Sequence, residues 1–160
     1  METIKIEIKM KKHGTMIAEL YPEIAPKTVE NFVGLIEKKF FDGLIFHRII
    51  SGFMIQGGGY DASGKHHDAP SIIGEFASNG IQNNLKHTPG VLSMARTMIK
   101  NSASSQFFIM HKSAPHLDGD YAAFGKVVEG MDVVDLIANV QTGFGDQPID
   151  PVIIDSISVI

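Results

Sequence analysis

Arg48 is the one permanent charge in a long apolar stretch, Phe46-His47-Arg48-Ile49-Ile50-Ser51-Gly52-Phe53-Met54-Ile55-Gln56-Gly57-Gly58-Gly59. A guanidinium stays ionised and carries five N–H donors, and it is rarely buried without a partner. Set among apolar side chains, such a donor can stabilise charge or a lone pair that develops on a bound group. If Ser51-Gly52 makes a tight turn, the two halves of the stretch pair as strands, and Arg48 shares a surface with Met54 or Gln56. Gln106, Phe108 and Met110 alternate further on, so all three face one side of a strand. Apolar walls with a few fixed polar groups describe a small ligand site. The same stripe is equally the pattern of a barrel interior.

Other chemistries lack their signatures. There is no G-x-S-x-G, and the serines of Asn101-Ser102-Ala103-Ser104-Ser105 read as loop residues beside a strand. His66-His67-Asp68 offers metal ligands, but adjacent side chains seldom converge on one ion and no H-E-x-x-H supports them. No Lys-Ser/Thr follows the glycines at 57–59, so they are not a phosphate loop. No metal and no cofactor are expected.

The elements that must position these residues follow from periodicity. Ile4, Ile6, Ile8 and Met10 alternate with Lys5, Glu7 and Lys9, which is a half-buried strand. After His13-Gly14, the segment Thr15 to Tyr21 forms its hairpin partner. Val29, Phe32, Val33 and Ile36 then lie on one face of a helix, with Pro26 suited to its first turn and Lys38 and Lys39 near its end. Gly57 to Ser71 is a long polar loop. Short strands are expected over 72–76, 91–95, 105–110 and 122–128. Val133, Leu136, Ile137 and Val140 give a second helix between Gly130 and Gly143. A last strand runs over 152–159 with a shift of phase near Asp155. About eight short strands in runs, with two helices, argue for an antiparallel barrel or sandwich rather than a parallel sheet.

With 160 residues, the chain fits a single domain over 1–160. Its hydrophobic fraction of 44% and charged fraction of 20% are those of a globular protein. A formal net charge of −4 speaks against nucleic acid as a partner. There are no cysteines, which excludes disulfides and thiolate metal sites. The N-terminal METIKIEIKMKK has no apolar signal core, and no run is long enough for a membrane helix. The expectation is a cytoplasmic protein with no membrane contact.

Several blocks together resemble one family. Phe46 to Gly58 is similar to the signature of cyclophilins, the peptidyl-prolyl cis-trans isomerases. The resemblance continues in Ala25-Pro26-Lys27-Thr28-Val29-Glu30-Asn31-Phe32, Leu92-Ser93-Met94-Ala95, Ser104-Ser105-Gln106-Phe107-Phe108-Ile109, His116-Leu117-Asp118-Gly119, Phe124-Gly125-Lys126-Val127 and Gly130-Met131. The blocks span nearly the whole chain in the family order, and Ala95-Arg96-Thr97 looks like the bacterial branch. The resemblance implies a closed eight-stranded antiparallel β-barrel capped by two α-helices, with the groove on its outer face. It implies that Arg48 is catalytic with Gln56 supporting it. It also implies that Phe53, Met54, Phe108 and Leu117 take the proline ring, and that Ala95, Arg96 and Gln106 hold the flanking peptide. His116 stands where many members carry Trp, and Tyr121 where many carry His. Both belong to the substrate-binding set, and the first implies weak cyclosporin binding. The implied activity is rotation about X-Pro bonds of folding proteins, by a monomer acting on proline-containing peptides and unfolded chains. The alternative is a proline-peptide-binding chaperone or adaptor whose turnover is incidental.

Overall fold

The computed structural model describes residues 2–160. The first hairpin pairs β1 (Ile4–Met10) with β2 (Thr15–Leu20), Ile4 opposite Leu20 and Lys9 opposite Thr15. Its alternation buries Ile6, Ile8 and Met10 together with Met16, Ala18 and Leu20. The period then changes to that of α1 (Pro26–Glu37), which turns Val29, Phe32, Leu35 and Ile36 inward. No side chain of its own caps this helix. Glu75, buried and 47 residues away, does so instead: its Oε1 accepts from the Thr28 N–H and the Thr28 hydroxyl, both at 2.7 Å. One distant carboxylate thus satisfies a donor that a helix end leaves open.

The remaining elements are β3 (Arg48–Ile50), β4 (Met54–Gly57), β5 (Val91–Met94), β6 (Phe107–Met110), β7 (Ala123–Glu129), α2 (Met131–Ala138) and β8 (Ile154–Val159). All eight strands form one antiparallel sheet in the order β3-β4-β6-β5-β7-β2-β1-β8. The fold is mainly β, with two helices, as expected. The phase shift expected near Asp155 is present: Lys9 faces Ser156 and Met10 faces Ile154, so Asp155 is the extra residue of a bulge.

Two expectations are corrected. The sheet is an open, curled one rather than a closed barrel, because β3 and β8 share no ladder. Their approaches meet at a single bridge, Ile45 to Ile153, supported by bonds such as Phe46 N–H to Val152 O at 3.0 Å. Pro151, just ahead of that seam, has no N–H to offer a longer ladder. The segment 72–76 is not a strand either. Side chains take the backbone groups that a ladder would use: Gly74 N–H donates to Asn101 Oδ1 at 3.0 Å, and Gly74 O accepts from Asn79 Nδ2 at 2.8 Å.

The main core lies inside the curl. Phe32 of α1 packs there against Phe41, Phe107 and Phe124, with ring centroids 4.9, 5.1 and 5.0 Å away. A second, smaller apolar cluster forms on the opposite face, around Met54, Phe108, Met110, Leu117 and Ala123. Strand β6 supplies both: Phe107 and Ile109 point to the core, Phe108 and Met110 to the second cluster. The stripe that could have been a barrel interior therefore lies on the outer face.

Candidate active site

Sheet register builds the site. Arg48 on β3 faces Gln56 on β4, Gln56 faces Phe108 on β6, Phe108 faces Ser93 on β5, and Ser93 faces Ala123 on β7. These five residues form one row across the outer face. Ile50, Met54 and Met110 form the next row. The β3–β4 hairpin makes this possible through its turn at 51–53, where Gly52 has φ +81°.

The rows floor a cavity of about 150 Å³. Phe53, Met54, Phe108 and Leu117 give it apolar walls, and Ala95 and Tyr121 flank it. Arg48 and Gln56 stand at one side, with the Arg48 side chain exposed to solvent rather than sunk in the core. Arg48 Nη1 donates to Gln56 Oε1 at 3.3 Å, and Gln56 Nε2 donates to Gln106 Oε1 at 3.0 Å. This chain fixes which end of the Gln56 amide meets the guanidinium. Gln106 itself lines a neighbouring cavity of about 240 Å³ rather than the apolar one. Its side chain lies against Gly59, where a Cβ would sit 2.5 Å from Nε2, so the glycine makes room for the glutamine. His47, next to Arg48, is held below the usual histidine range by burial first and then by the Arg48 and His66 charges. A neutral His47 leaves the charge at this edge with the guanidinium.

Arg96 closes another side. Its guanidinium lies between the rings of Phe76 and Tyr121, 4.8 Å from each centroid, and donates through Nε and Nη2 to Asp120 O. That is a cation–π sandwich with a backbone anchor. His116 does not line the cavity: it is exposed and packs on the outer side of Phe53, with ring centroids 5.8 Å apart. The structure therefore brings nine of the eleven expected site residues around one cavity and places Gln106 and His116 in contact with its walls.

Sequence reasoning missed the support behind the cavity. His87, buried, stacks on Phe108 with centroids 6.0 Å apart. The Asp118 carboxylate can only accept, so His87 Nδ1–H donates to it at 2.9 Å, and Nε2 accepts from the Ser93 hydroxyl at 2.9 Å. Burial keeps His87 below the ordinary histidine range, against the opposing pull of Asp118. His111 pins the hairpin turn: its Nδ1 accepts from Gly52 N–H at 2.8 Å, and its Nε2 meets Asp135 of α2 at 3.1 Å. These partners lie 31 and 59 residues apart in sequence, so no local spacing announces them. His66 and Asp68 face the second cavity beside Gln106. Among the described residues, no three His, Cys, Asp or Glu side chains gather to hold a metal ion.

Comparison with known proteins agrees with this geometry. Residues 3–159 match the model of the cyclophilin type peptidyl-prolyl cis-trans isomerases. Peptidyl-prolyl cis-trans isomerase B of Escherichia coli is 42% identical over 159 residues, covering 92% of this chain and 94% of that protein. A peptidyl-prolyl cis-trans isomerase of Arabidopsis thaliana is 41% identical over 147 residues, covering 91% and 90%. Among solved structures, a cyclophilin type isomerase of Cryptosporidium parvum superposes with a TM-score of 0.85 at 30% identity, covering 99% of this chain and 98% of that one. A second structure of that protein, in the presence of the dipeptide Ala-Pro, gives 0.83 at 31% identity. An antiparallel sheet with an apolar outer groove and an arginine at its edge, together with relatives of this similarity over nearly the full length, makes the chain a member of the cyclophilin-type peptidyl-prolyl cis-trans isomerase family.

Proposed function

We propose that the cavity beside Arg48 is the isomerase site and that Arg48 is its catalytic residue, with the proline ring held by Phe53, Met54, Phe108 and Leu117. The chemistry is rotation about an X-Pro amide, whose barrier is ~18–20 kcal/mol because of the partial double bond. No bond is broken, so no nucleophile is required. At the twisted geometry the amide conjugation is lost and the proline nitrogen regains a lone pair. A donor aimed at that nitrogen, or at the adjoining carbonyl, favours the twisted state over both planar ones. The apolar walls grip the ring while the preceding carbonyl swings, and they keep the local dielectric low.

The Arg48–Gln56–Gln106 chain carries this reading. A donor effective in a transition state must already be aimed, and two amides in series hold the guanidinium against the sheet. Arg96 and Ala95 flank the cavity where the peptide on either side of proline would run, and Gln106 adjoins them. The proposed substrates are proline-containing segments of folding or unfolded proteins, handled by one isomerase domain acting as a monomer in the cytoplasm. An adaptor that only binds such segments has no use for this aimed donor.

The test is a protease-coupled isomerisation assay on a short X-Pro peptide. Arg48→Ala is expected to melt like the wild type and to lose about two to three decades in kcat/KM. A folded variant with wild-type turnover would refute the assignment.

A further inference from the structure

Met98 and Ile99 are 96% and 71% exposed, side by side at the tip of a loop next to the groove. Their exposure does not come from a loose loop. The Ser102 hydroxyl accepts from Thr97 N–H at 2.9 Å and meets Thr97 Oγ1 at 2.8 Å, while Ile99 N–H donates to Thr97 Oγ1 at 3.2 Å. Lys100 Nζ donates to Ser78 O at 2.6 Å across the base. A clasp of hydroxyls thus holds two large apolar side chains out in water.

The position of the loop makes this informative. Met98 lines an open cavity whose other walls include Arg96 and Tyr121, and those two residues also line the proline cavity. The two cavities are therefore neighbours across a shared wall. The proline cavity, at about 150 Å³, has room for little more than a ring and its bond. A polypeptide threaded through it must continue outward, and an extended chain covers ~3.3–3.6 Å per residue. A residue two or three positions from proline is then beyond the shared wall, level with the loop.

We propose that Met98 and Ile99 form an apolar ledge that takes an apolar side chain of the client a few residues from the proline, so that this protein favours unfolded segments over isolated X-Pro units. The proposal rests on the reading of the groove given above. The occupant is the client chain itself, because Met98 shares a cavity with Arg96 and Tyr121 of the groove, and Ile99 is its exposed chain neighbour. The clasp orders the loop in advance, which reduces the entropy lost on binding.

The experiment compares wild type with the double variant Met98→Ser/Ile99→Ser, both checked for equal melting temperature. Two labelled peptides with one central Ala-Pro bond are used, one flanked by leucines and one by serines. Their Kd values are measured by fluorescence anisotropy, and turnover is measured separately on a short blocked X-Pro peptide. Wild type is expected to bind the leucine peptide about three- to tenfold tighter than the serine peptide, as partial burial of one or two apolar side chains provides. The double variant should lose that preference and keep its turnover on the short peptide. An equal preference in both proteins overturns the ledge, and so does a variant that loses short-peptide turnover. Concentration-dependent mass in sedimentation that the variant abolishes would also overturn it, by giving the surface to a second copy. Wild type without turnover on the short peptide would refute the isomerase reading instead, and the ratio of Kd values would still judge the ledge.

Discussion

At the scale of residues, the walls of the groove rest on side chains that do not line it. His87 is the clearest case: it stacks on Phe108, donates to Asp118 and accepts from Ser93. Its folded-state pKa lies below the free value, mainly through burial. The unfolded chain therefore takes up a proton at a pH where the folded one resists it. Stability follows the difference in bound protons. The contribution of His87 is complete above about pH 6.5, the free histidine value, and declines as the pH falls below it. Melting temperature against pH should drop on the acid side of that point, and His87→Gln should flatten this part of the profile while lowering the plateau. A second prediction concerns His116, which packs on Phe53 from outside. An imidazole covers less apolar area than an indole, and each Å² of lost contact is worth ~25 cal/mol. His116→Trp is expected to increase inhibition by cyclosporin, with only a modest change in peptide turnover. Both are read in one coupled assay.

Elements are tied to one another by single polar groups. Helix α1 begins at Pro26 with no local cap, and Glu75 answers from a loop that lies against Lys100 and Asn101. Replacing this buried carboxylate leaves the Thr28 N–H and hydroxyl without an acceptor. Glu75→Ala should therefore destabilise by about 1–3 kcal/mol, the penalty for a stranded buried donor. Chemical denaturation reads this as a lower midpoint, and because Arg48 and Phe108 sit on the far side of the sheet, kcat/KM per folded molecule should be unchanged. The β3–β4 turn shows the same economy of contacts. His111 bonds to Gly52 on one side and reaches Asp135 of α2 on the other, so the turn that carries Phe53 is referenced to a helix. The first two strands and both helices were legible in sequence because each has a regular apolar period, and the short inner strands because they are apolar runs. The bulge at Asp155 was legible because it interrupts such a period. The segment 72–76 was misread because Ile72 and Ile73 look strand-like, whereas the bond from Gly74 N–H to Asn101, 27 residues on, has no local signature.

At the scale of the whole molecule, the sheet curls without a closing ladder, and the groove lies on its convex side away from the aromatic core. The types of the groove residues could be read from sequence, but their arrangement could not. Arg48, Gln56, Phe108 and Ser93 come from four strands, and only the register sets them in one row. The closed barrel that the resemblance implied is not found, and whether the edge strands β3 and β8 pair leaves no trace in either one's periodicity. The proposed catalysis by an aimed donor and apolar walls asks for no bound ion. Dialysis against EDTA is expected to leave both turnover and melting temperature unchanged. A loss restored by a divalent cation would contradict this.

The two-faced strand β6 has a consequence for how such a protein can change. Phe107 and Ile109 belong to the interior, while Phe108 lines the groove and Met110 packs beside it, buried in the second cluster. Neighbouring codons therefore answer to different selective pressures: one set to whether the chain folds, the other to what it recognises. A substitution at Phe108 alters the wall of the groove without touching the aromatic cluster of the interior, to which Phe107 belongs. A saturation library across Phe107–Met110, scored in parallel for abundance and for peptide turnover, should set Phe108 apart as the position where turnover falls further than abundance.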